Sequence, residues 1–459
     1  MGFFNFFSKS KKSLLIFSGF FFFISSTCGN VEEENKIQHF CDLLHEARLF
    51  EAFDYYESNQ LDTAGFEVID WTYKAYKFNC FNQPDSAITY LNSLLTKYKE
   101  FSWEFFNQKI PHMLMLNYKA KQEYGEAVRI CDDIMSWYRQ YPDSINLIND
   151  TIVLKEIKNV WVQLMDEKKM EIHFHFSKTE VPMDTTFLTF KGIYNGIELN
   201  TLFDTGASCH LLMDRRTADK VKVNILSTDT LHHINDTILN SSYGILDSFW
   251  IGNLEINNIP VFIFNDGFFG IHNDSIKNAN KELFESFDVV LGWDLMRMFG
   301  AVSLDFEIQC LVIEKPNVSS QKKNNLLICD KGVFLRSHIN DIDFTGYFDT
   351  GSTINGLLLK KDFYLKFTDA FEVDSLDSNL ALDVGYLTSY YTDLQYKNIK
   401  KVDWKIHEEQ CVIENDLIVL LSDDPLIPGM ADGVYGELFI KEFKKVYFDF
   451  ANMNFYIGK

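Results

Sequence analysis

Two stretches of the sequence share one motif: "LFDTGASCHLL" at 202–212 and "YFDTGSTINGLLL" at 347–359. In each, apolar residues lead into Asp-Thr-Gly, and the motif aspartates, Asp204 and Asp349, stand 145 residues apart. A given tripeptide occurs by chance in a chain of this length with a probability on the order of 0.1, and Asp-Thr-Gly also suits an ordinary turn. The two triplets alone therefore do not identify a fold or a site, and the evidence lies in the sequence around them.

The sequence on both sides of the two motifs is repeated as well. Upstream, "IYNGIELNTLF" at 193–203 returns as "HINDIDFTGYF" at 338–348, at the same spacing as the motifs. Downstream, "DVVLGWDLMRMFGAVSLDF" at 288–306 aligns without a gap with "DGVYGELFIKEFKKVYFDF" at 432–450. Matches that extend in register over whole segments indicate that one structural half has been duplicated within the chain.

Each copy contains the same order of predicted elements. Two apolar runs around Asn195-Gly196 predict a β-hairpin, because this dipeptide tolerates the positive φ of a tight turn. The second strand leads into Asp-Thr-Gly, and further strands, a strand ending in glycine, a short helix and a closing hairpin follow. The terminal glycines are Gly292 and Gly436, which lie 88 and 87 residues after their aspartates. The repeat predicts two similar, mostly β lobes.

This order of motifs resembles the aspartic peptidases of the pepsin and retropepsin clan, and it is most similar to the bacterial retropepsin-like aspartyl proteases. The resemblance covers residues 170–459 and includes both copies. It implies a bilobal enzyme in which each lobe contributes one aspartate, Asp204 or Asp349, to a cleft at the interface of the lobes. A single-lobe retropepsin has to dimerise to bring two such loops together. This chain carries both loops, so we expect an active monomer.

The resemblance also implies the chemistry of the site. Two carboxyl groups about 3 Å apart cannot both ionise, so they share one proton and titrate as a unit. One carboxylate then acts as a base on a water molecule, while the protonated partner polarises the peptide carbonyl. The implied roles are catalysis by Asp204 and Asp349, a supporting loop of Thr205, Gly206, Thr350, Gly351 and Ser352, and a lobe-core motif of Gly292 and Gly436.

Three details of the supporting loop are expected. Glycine permits the tight backbone that brings the loops together, and the resemblance implies that the hydroxyls of Thr205 and Thr350 bond across to the opposite loop. It further implies that a hydroxyl three positions after the aspartate bonds the outer carboxylate oxygen. Ser352 provides that hydroxyl to Asp349, whereas Ala207 provides none to Asp204. Because a hydrogen bond to the ionised form favours that form, we expect Asp349 to carry the charge and Asp204 the proton.

The sequence motifs of other enzyme classes are absent. The sequence contains no G-x-S-x-G, H-E-x-x-H, G-x-x-x-x-G-K-[ST] or G-x-G-x-x-G, which are the signatures of serine hydrolases, zinc peptidases and nucleotide-binding loops. Its eight cysteines are widely spaced and form no C-x-x-C pair, so neither a disulfide framework nor a zinc knuckle is indicated. We expect no metal and no cofactor.

The N-terminus is predicted to be a secretory signal. Lys9, Lys11 and Lys12 precede an apolar run at 14–27, which is shorter than the about 20 residues needed to span a bilayer. Small residues then lead to Cys28, an arrangement that resembles a bacterial lipoprotein signal in which this cysteine is acylated. We therefore expect a cell-envelope lipoprotein of the outer membrane, with ordinary signal cleavage and an incidental cysteine as the alternative.

Between this signal and the duplicated part, the sequence has helical periodicity. Three segments superpose, "LFEAFDYYE", "QPDSAITYLNSLL" and "EYGEAVRICDDIM", which place Ala52, Ala87 and Ala127 at steps of 35 and 40 residues. A small residue at a repeating helical position lets a neighbouring helix approach closely, and a period near 34 is typical of stacked helical hairpins. The third segment resembles a tetratricopeptide repeat (TPR). The region is predicted to hold a peptide or partner protein, or to act as a spacer.

Composition narrows the possible partners. The chain has 65 acidic and 43 basic residues, a formal net charge of −22, which repels phosphate groups and makes nucleic acid an unsuitable partner. The predicted function is an aspartic endopeptidase of the cell envelope that acts on polypeptides. The alternative is a catalytically silent envelope lipoprotein that binds peptides or proteins through its cleft and its TPR-like repeats.

The predicted architecture is multidomain, with an all-α helical-hairpin repeat followed by the bilobal, mostly β part. The bounds are a signal peptide (1–27), an acidic leader (28–36), a TPR-like helical domain (37–165), a first peptidase lobe (170–314), a linker (315–325) and a second peptidase lobe (326–459).

Overall fold

The structure is a computed structural model that describes residues 31–61, 67–99, 101–105, 109–140, 145–234, 237–265, 281–316, 323–352, 356–373, 380–385, 390–414, 417–421 and 427–458. The chain divides into two compact units whose boundary lies between Asp166 and Glu167. The first is helical and the second is mostly β. The predicted signal and Cys28 lie outside the described residues. Within them, no helix is both long enough and apolar enough to cross a membrane.

The helical unit consists of consecutive amphipathic helices. Glu32, Glu33 and Glu34, which the sequence assigned to an acidic leader, lie in the first turn of the first helix, where the helix dipole favours negative charge. The described helices are α1 (Val31–His45), α2 (Leu49–Ser58), α3 (Glu67–Cys80), α4 (Pro84–Lys97), α5 (Lys109–Ala120), α6 (Tyr124–Arg139) and α7 (Ile145–Leu164), with a π-helical turn at Phe101–Phe105.

The turns that open α2, α4 and α6 have the same geometry. Each contains one residue with positive φ two positions before the helix: Ala47 (58°), Asn82 (55°) and Gln122 (57°). In each turn the following N–H donates to a carbonyl five residues earlier, at 2.9 Å in all three cases, which is the 6→1 bond of a Schellman C-cap. The three helical hairpins are therefore built on one repeated turn.

The repeated alanines lie five residues after these turns. Ala52, Ala87 and Ala127 are each 0% exposed, as expected for a position where a neighbouring helix packs closely. The hairpin repeat predicted from the alanine spacing is thus present in the described residues. Assignment of these hairpins to the TPR class stays a prediction.

Among its described residues, the β unit contains two sets of strands, five short α-helices and a 3₁₀ helix at Thr368–Ala370. The first lobe has β1 (Glu171–Phe174), β2 (Lys178–Asp184), β3 (Thr189–Tyr194), β4 (Ile197–Asp204), β5 (Leu211–Asp214), α8 (Arg215–Lys220), β6 (Asn224–Ile234), β7 (Thr237–Ile251), β8 (Leu254–Phe264), α9 (Lys281–Ser286), β9 (Val289–Gly292), α10 (Trp293–Met296), β10 (Ala301–Asp305) and β11 (Cys310–Glu314). The second lobe has β12 (Leu326–Cys329), β13 (Gly332–Ile339), β14 (Ile342–Phe348), β15 (Leu357–Leu359), α11 (Lys361–Lys366), β16 (Leu380–Gly385), β17 (Tyr390–Asn398), β18 (Val402–Ile406), β19 (Glu409–Ile413), β20 (Leu417–Leu420), β21 (Gly433–Tyr435), α12 (Glu437–Lys441), β22 (Lys445–Asp449) and β23 (Asn454–Gly458).

The centre of each lobe has the same strand topology. In the first lobe β4 runs parallel to β9, and β9 pairs antiparallel with β5. In the second lobe β14 runs parallel to β21, and β21 pairs antiparallel with β15. The strand that enters each Asp-Thr-Gly is therefore flanked by the strand of the downstream repeat. The duplication inferred from the sequence is present as a duplicated sheet.

The hairpin before each motif is fixed by an asparagine. Asn195 and Asn340 both have positive φ, 46° and 49°, and each lies in a two-residue turn between paired strands. The side-chain oxygen of Asn195 accepts from Ser248 N at 2.9 Å, and that of Asn340 accepts from Asp403 N at 2.8 Å. These matching bonds explain why the asparagine is retained in both copies while the following residue differs.

The two lobes are joined by one antiparallel strand pair. β10 of the first lobe pairs with β22 of the second, and Ser303 lies opposite Tyr447 at the middle of the register. These two residues are also equivalent in the sequence repeat, so the pair has approximate two-fold symmetry. Each strand continues into its closing hairpin, β10–β11 or β22–β23. The shared sheet fixes the lobes relative to each other.

Candidate active site

The two Asp-Thr-Gly loops begin where the central parallel strands end. Asp204 is the last residue of β4 and lies in register with Gly292. Asp349 follows β14, and its N–H donates to the carbonyl of Tyr435 in β21 at 3.0 Å. Because β4 and β14 are equivalent and the lobes are joined by a symmetric strand pair, both carboxyl groups point to the same place between the lobes.

The two threonines join the loops through reciprocal hydrogen bonds. Thr205 Oγ1 donates to the carbonyl of Phe348 at 2.9 Å and accepts from Thr350 N at 3.0 Å. Thr350 Oγ1 donates to the carbonyl of Phe203 at 2.9 Å and accepts from Thr205 N at 2.9 Å. Both threonines are buried. The structure therefore contains the interlocking contacts that the sequence resemblance implied.

The motif glycines leave room for the opposite carboxyl group. A Cβ on Gly206 would overlap Asp349 Oδ1, and a Cβ on Gly351 would lie 2.6 Å from Asp204 Oδ1. The N–H groups of the glycines also donate within their own loops, Gly206 N to Asp204 Oδ1 at 2.8 Å and Gly351 N to Asp349 Oδ1 at 3.0 Å. The sequence suggested backbone freedom as the reason for glycine, and the structure identifies lack of space for a side chain.

Asp204 and Asp349 form a hydrogen-bonded pair of carboxyl groups. Asp204 is 8% exposed, and Asp349 is half-buried. Burial and, secondly, the negative charge of Asp204 raise the pKa of Asp349 to about 8. Burial also raises the pKa of Asp204, although hydrogen bonds oppose that shift. Two carboxyl groups in this arrangement hold one proton over a wide pH range.

The two loops surround their carboxyl groups with equivalent main-chain donors. Gly206 N donates to Asp204 Oδ1 and Gly351 N to Asp349 Oδ1, at 2.8 and 3.0 Å. Ala207 N and Ser352 N each donate to the main-chain carbonyl of the aspartate in their own loop. These donors give no preference for either ionised carboxyl group, whereas the raised pKa of Asp349 favours the proton there, opposite to the expectation from the Ser352 hydroxyl.

The lobe-core glycines support the loops from the downstream strands. A Cβ on Gly292 would lie 2.5 Å from the carbonyl oxygen of Ala207, so only glycine fits against the first loop. In the second lobe, Gly436 N donates to the carbonyl of Gly356 at 2.9 Å. The residues that follow repeat one bond: Trp293 N donates to the carbonyl of Ala207 at 3.0 Å, and Glu437 N donates to that of Ser352 at 2.8 Å.

The sequence did not predict one contact to the loops. Tyr347 Oη donates to the carbonyl of Gly206 at 3.1 Å, so a side chain of the second lobe binds the catalytic-type loop of the first. The equivalent position in the first copy is Leu202. The sequence signal for this contact was a difference between the copies: one strand position holds a tyrosine in the second copy and a leucine in the first.

Comparisons with known proteins find similarity in part of the chain. A family model described as aspartyl protease matches residues 190–295, the segment that contains Asp204 and Gly292. A search of curated proteins finds no match. Among solved structures, the chain is similar to a retropepsin-like aspartic protease from Rickettsia conorii, with 18% identity, coverage of 32% of this chain and 96% of that chain, and a TM-score of 0.21. It is also similar to an aspartic proteinase from Irpex lacteus, with 13% identity, coverage of 61% and 97%, and a TM-score of 0.38.

Proposed function

We propose that the chain is an aspartic endopeptidase that hydrolyses peptide bonds with a water molecule activated by Asp204 and Asp349. The observation that carries this proposal is the hydrogen-bonded pair of one buried and one half-buried carboxyl group, held by reciprocal threonine bonds at the junction of two duplicated lobes. The match of residues 190–295 to the aspartyl protease model supports it. A structural role alone gives no reason to bury two acidic groups in contact, because each burial disfavours the charged form.

The proposed reaction assigns one role to each carboxyl group. The Asp204 carboxylate accepts a proton from a water molecule, whose oxygen attacks the carbon of the scissile peptide carbonyl. The Asp349 carboxyl donates its proton to the carbonyl oxygen as negative charge develops there. In the tetrahedral intermediate, Asp204 passes its proton to the amide nitrogen, the C–N bond breaks, and a hydroxyl of the intermediate returns a proton to Asp349 as the carboxyl product forms. The carboxyl pair ends with one shared proton, so it is ready for another cycle.

The pH dependence of cleavage is the first expected result. Activity requires one proton on the pair, so kcat/KM should be bell-shaped and should fall on the alkaline side near pH 8, where Asp349 loses its proton. The measurement is the initial rate of cleavage of a fluorogenic peptide across a pH series in a constant-ionic-strength buffer. A rate that is maximal only in strong acid and already lost at neutral pH would contradict this assignment.

Cleavage itself is tested with the purified full-length chain and a reduced, alkylated protein as substrate. Fragments identified by mass spectrometry should arise from internal peptide bonds, as expected of an endopeptidase. Because one chain carries both loops, the activity should elute with the monomer in size-exclusion chromatography. Binding of peptides without any cleavage over the whole pH series would instead favour the silent peptide-binding alternative.

Anchoring in the cell envelope through Cys28 remains part of the proposal, and it is supported by the apolar run and the small residues before this cysteine. We expect the mature chain to partition into the detergent phase of a Triton X-114 extraction and Cys28→Ala to partition into the aqueous phase, because acyl chains contribute about 0.8 kcal/mol per buried methylene group. An aqueous parent protein would contradict lipidation and leave the peptidase proposal intact.

The helical unit is proposed to hold a peptide or a protein partner. The repeated hairpins and their buried alanines support a stacked helical array, and such arrays present extended binding surfaces. A chain lacking residues 37–165 should keep its peptide-bond cleavage, because the contacts that form the carboxyl pair all lie in the β unit. Loss of activity against peptides in that chain would show that the helical unit is more than a docking element.

A further inference from the structure

Each lobe places one side chain two residues before its aspartate, in the strand that leads into the loop. Leu202 holds this position in β4, and Tyr347 holds it in β14. Side chains two residues apart on a strand lie on the same face, so each of the two lies on the side where its lobe presents the carboxyl group. The copies therefore differ at equivalent places beside the carboxyl pair.

In the first lobe this position belongs to the hydrophobic core. Leu202 is 5% exposed and is part of a buried apolar cluster against which Ala207, Cys209 and Tyr243 pack. Leu202 is therefore a core residue of its own lobe.

In the second lobe the same position reaches across to the first. Tyr347 is half-buried, and its hydroxyl donates to the carbonyl of Gly206 at 3.1 Å. Gly206 lies directly at the carboxyl pair, because its N–H donates to Asp204 Oδ1 at 2.8 Å and a Cβ on it would overlap Asp349 Oδ1. The tyrosine ring therefore spans the boundary between the lobes beside the two carboxyl groups.

The ring is supported from behind by its own lobe. The buried Phe334 lies opposite Tyr347 in the β13–β14 pair, and the two ring centroids are 5.5 Å apart. A Cβ on Gly332 would lie 2.5 Å from Tyr347 Cε2, so the main chain of β13 passes directly beside the edge of the ring. Because the hydroxyl is bonded to the opposite lobe, the side chain cannot turn away from the carboxyl pair without losing that bond.

We propose that Tyr347 is a specificity-determining residue that restricts the substrate, on the second-lobe side of the scissile bond, to a small side chain such as that of glycine, alanine or serine. The inference deepens the proposed function and rests on it, since a polypeptide must bind with one peptide bond at the carboxyl pair. Such a polypeptide extends to both sides of the pair, and on the second-lobe side it meets the ring of Tyr347. A large side chain there has to displace the ring and break its bond to Gly206.

Tyr347→Leu gives the second lobe the residue of the first copy and should relax this selectivity. The measured quantity is a size ratio, defined as kcat/KM for a phenylalanine-containing peptide divided by kcat/KM for the matching alanine-containing peptide. One methylene group in an enzyme pocket changes such ratios by roughly 10–200-fold, so the size ratio should rise by about tenfold or more. Tyr347→Phe keeps a ring against Phe334 and should change the ratio less.

The experiment compares the full-length parent, Tyr347→Leu, Tyr347→Phe and a matched variant, Tyr456→Leu. Two peptide pairs exchange alanine for phenylalanine, one at the residue before the scissile bond and the other at the residue after it. The size ratio should rise in Tyr347→Leu for one pair only, so the other pair is an internal control. Tyr456 is a half-buried residue of β23 whose ring stacks on that of His407, and its replacement should leave both ratios unchanged.

Several outcomes would overturn the role of Tyr347. Unchanged ratios in Tyr347→Leu would show that the ring does not select the substrate. A rise for both pairs, or an equal rise in Tyr456→Leu, would show that the substitution acts on the fold. The parent alone supplies a test that needs no variant, because a parent that cleaves phenylalanine peptides as readily as alanine peptides at both positions contradicts the proposal and leaves the peptidase proposal intact.

A binding measurement separates this inference from the peptidase proposal. If the parent cleaves none of the peptides, isothermal titration calorimetry of the same pairs gives the size ratio from dissociation constants. A rise for one pair in Tyr347→Leu would then support the role of Tyr347 while the peptidase proposal fails. A ratio that is equal in the parent and in Tyr347→Leu, or no binding of any peptide, would overturn that role as well.

Discussion

Asp204→Asn and Asp349→Asn should each lower kcat/KM by about 10³-fold or more. General acid–base catalysis contributes roughly 10²–10⁴-fold, and either substitution removes one of the two groups that accept and donate the proton. Asparagine matches the shape of the carboxyl group, and Asp204 and Asp349 lie in loops held by the threonine bonds, so the fold should persist. The measurement is steady-state cleavage of one peptide by the parent and the two variants, with unfolding midpoints recorded alongside.

The matched control uses a second pair of equivalent aspartates in the two copies, Asp288 and Asp432. Asp288 Oδ2 accepts from Asn200 N at 3.0 Å, and Asp432 Oδ2 accepts from Thr345 N at 2.9 Å, so both act within single lobes away from the loops. Asp288→Asn and Asp432→Asn keep an acceptor oxygen and should retain most of the activity. If either dyad variant kept more than about a tenth of the parent rate, or if the control variants lost as much, the assignment of the pair would be wrong.

The dyad variants should also differ from the parent in the pH dependence of stability. A carboxyl group whose folded-state pKa is raised stabilises the protein fully at pH values below its ordinary pKa, and that stabilisation is lost as the pH rises toward the folded-state value. For Asp349 that value is about 8. Asp349→Asn carries no such proton, so its unfolding midpoint should decline less than that of the parent between mildly acidic and alkaline pH.

The sequence was informative where two copies could be compared. The equal spacing of the two motifs and the ungapped downstream match located both loops, and the structure brings Asp204 and Asp349 into contact as that comparison predicted. The turn residues Asn195 and Asn340 were likewise visible as a pair, and each makes the same backbone contact. A single Asp-Thr-Gly tripeptide is ambiguous, but a duplicated segment provides many pairs of equivalent positions that have to agree. The repeated strand topology of the β unit could therefore be inferred from the sequence.

The sequence was least informative where the two copies differ. It predicted the charge on Asp349 from the hydroxyl of Ser352, yet the main-chain donors are equivalent in both loops, and the raised pKa of Asp349 favours the proton on that residue. Those donors belong to main-chain groups whose directions depend on how the loops cross, which no residue type specifies. Tyr347 was missed for the same reason, since its partner is a carbonyl oxygen of the other lobe.

Thr205→Val should be the most destabilising single change that keeps side-chain volume in the loops. Valine preserves the shape of threonine, but it leaves the carbonyl of Phe348 and the N–H of Thr350 without the partner each has in the parent. A buried polar group that loses its partner costs roughly 1–3 kcal/mol, so the loss in the free energy of unfolding should be about 2–6 kcal/mol. The measurement is urea denaturation followed by tryptophan fluorescence.

Thr205→Ser provides the matched control because it keeps the hydroxyl and removes one methyl group, which should cost about 1 kcal/mol. A double variant of both threonines gives a sharper test of the hydroxyl contacts. Thr205 Oγ1 also donates to Thr350 Oγ1 at 3.4 Å, so each single substitution removes this shared contact and the double variant Thr205→Val/Thr350→Val should lose less than the sum of the two single losses. Strict additivity, or a serine variant as unstable as the valine variant, would mean that the methyl groups rather than the hydroxyls hold the loops together. The spacing of the carboxyl pair would then depend on packing, and cleavage would survive in the valine variants.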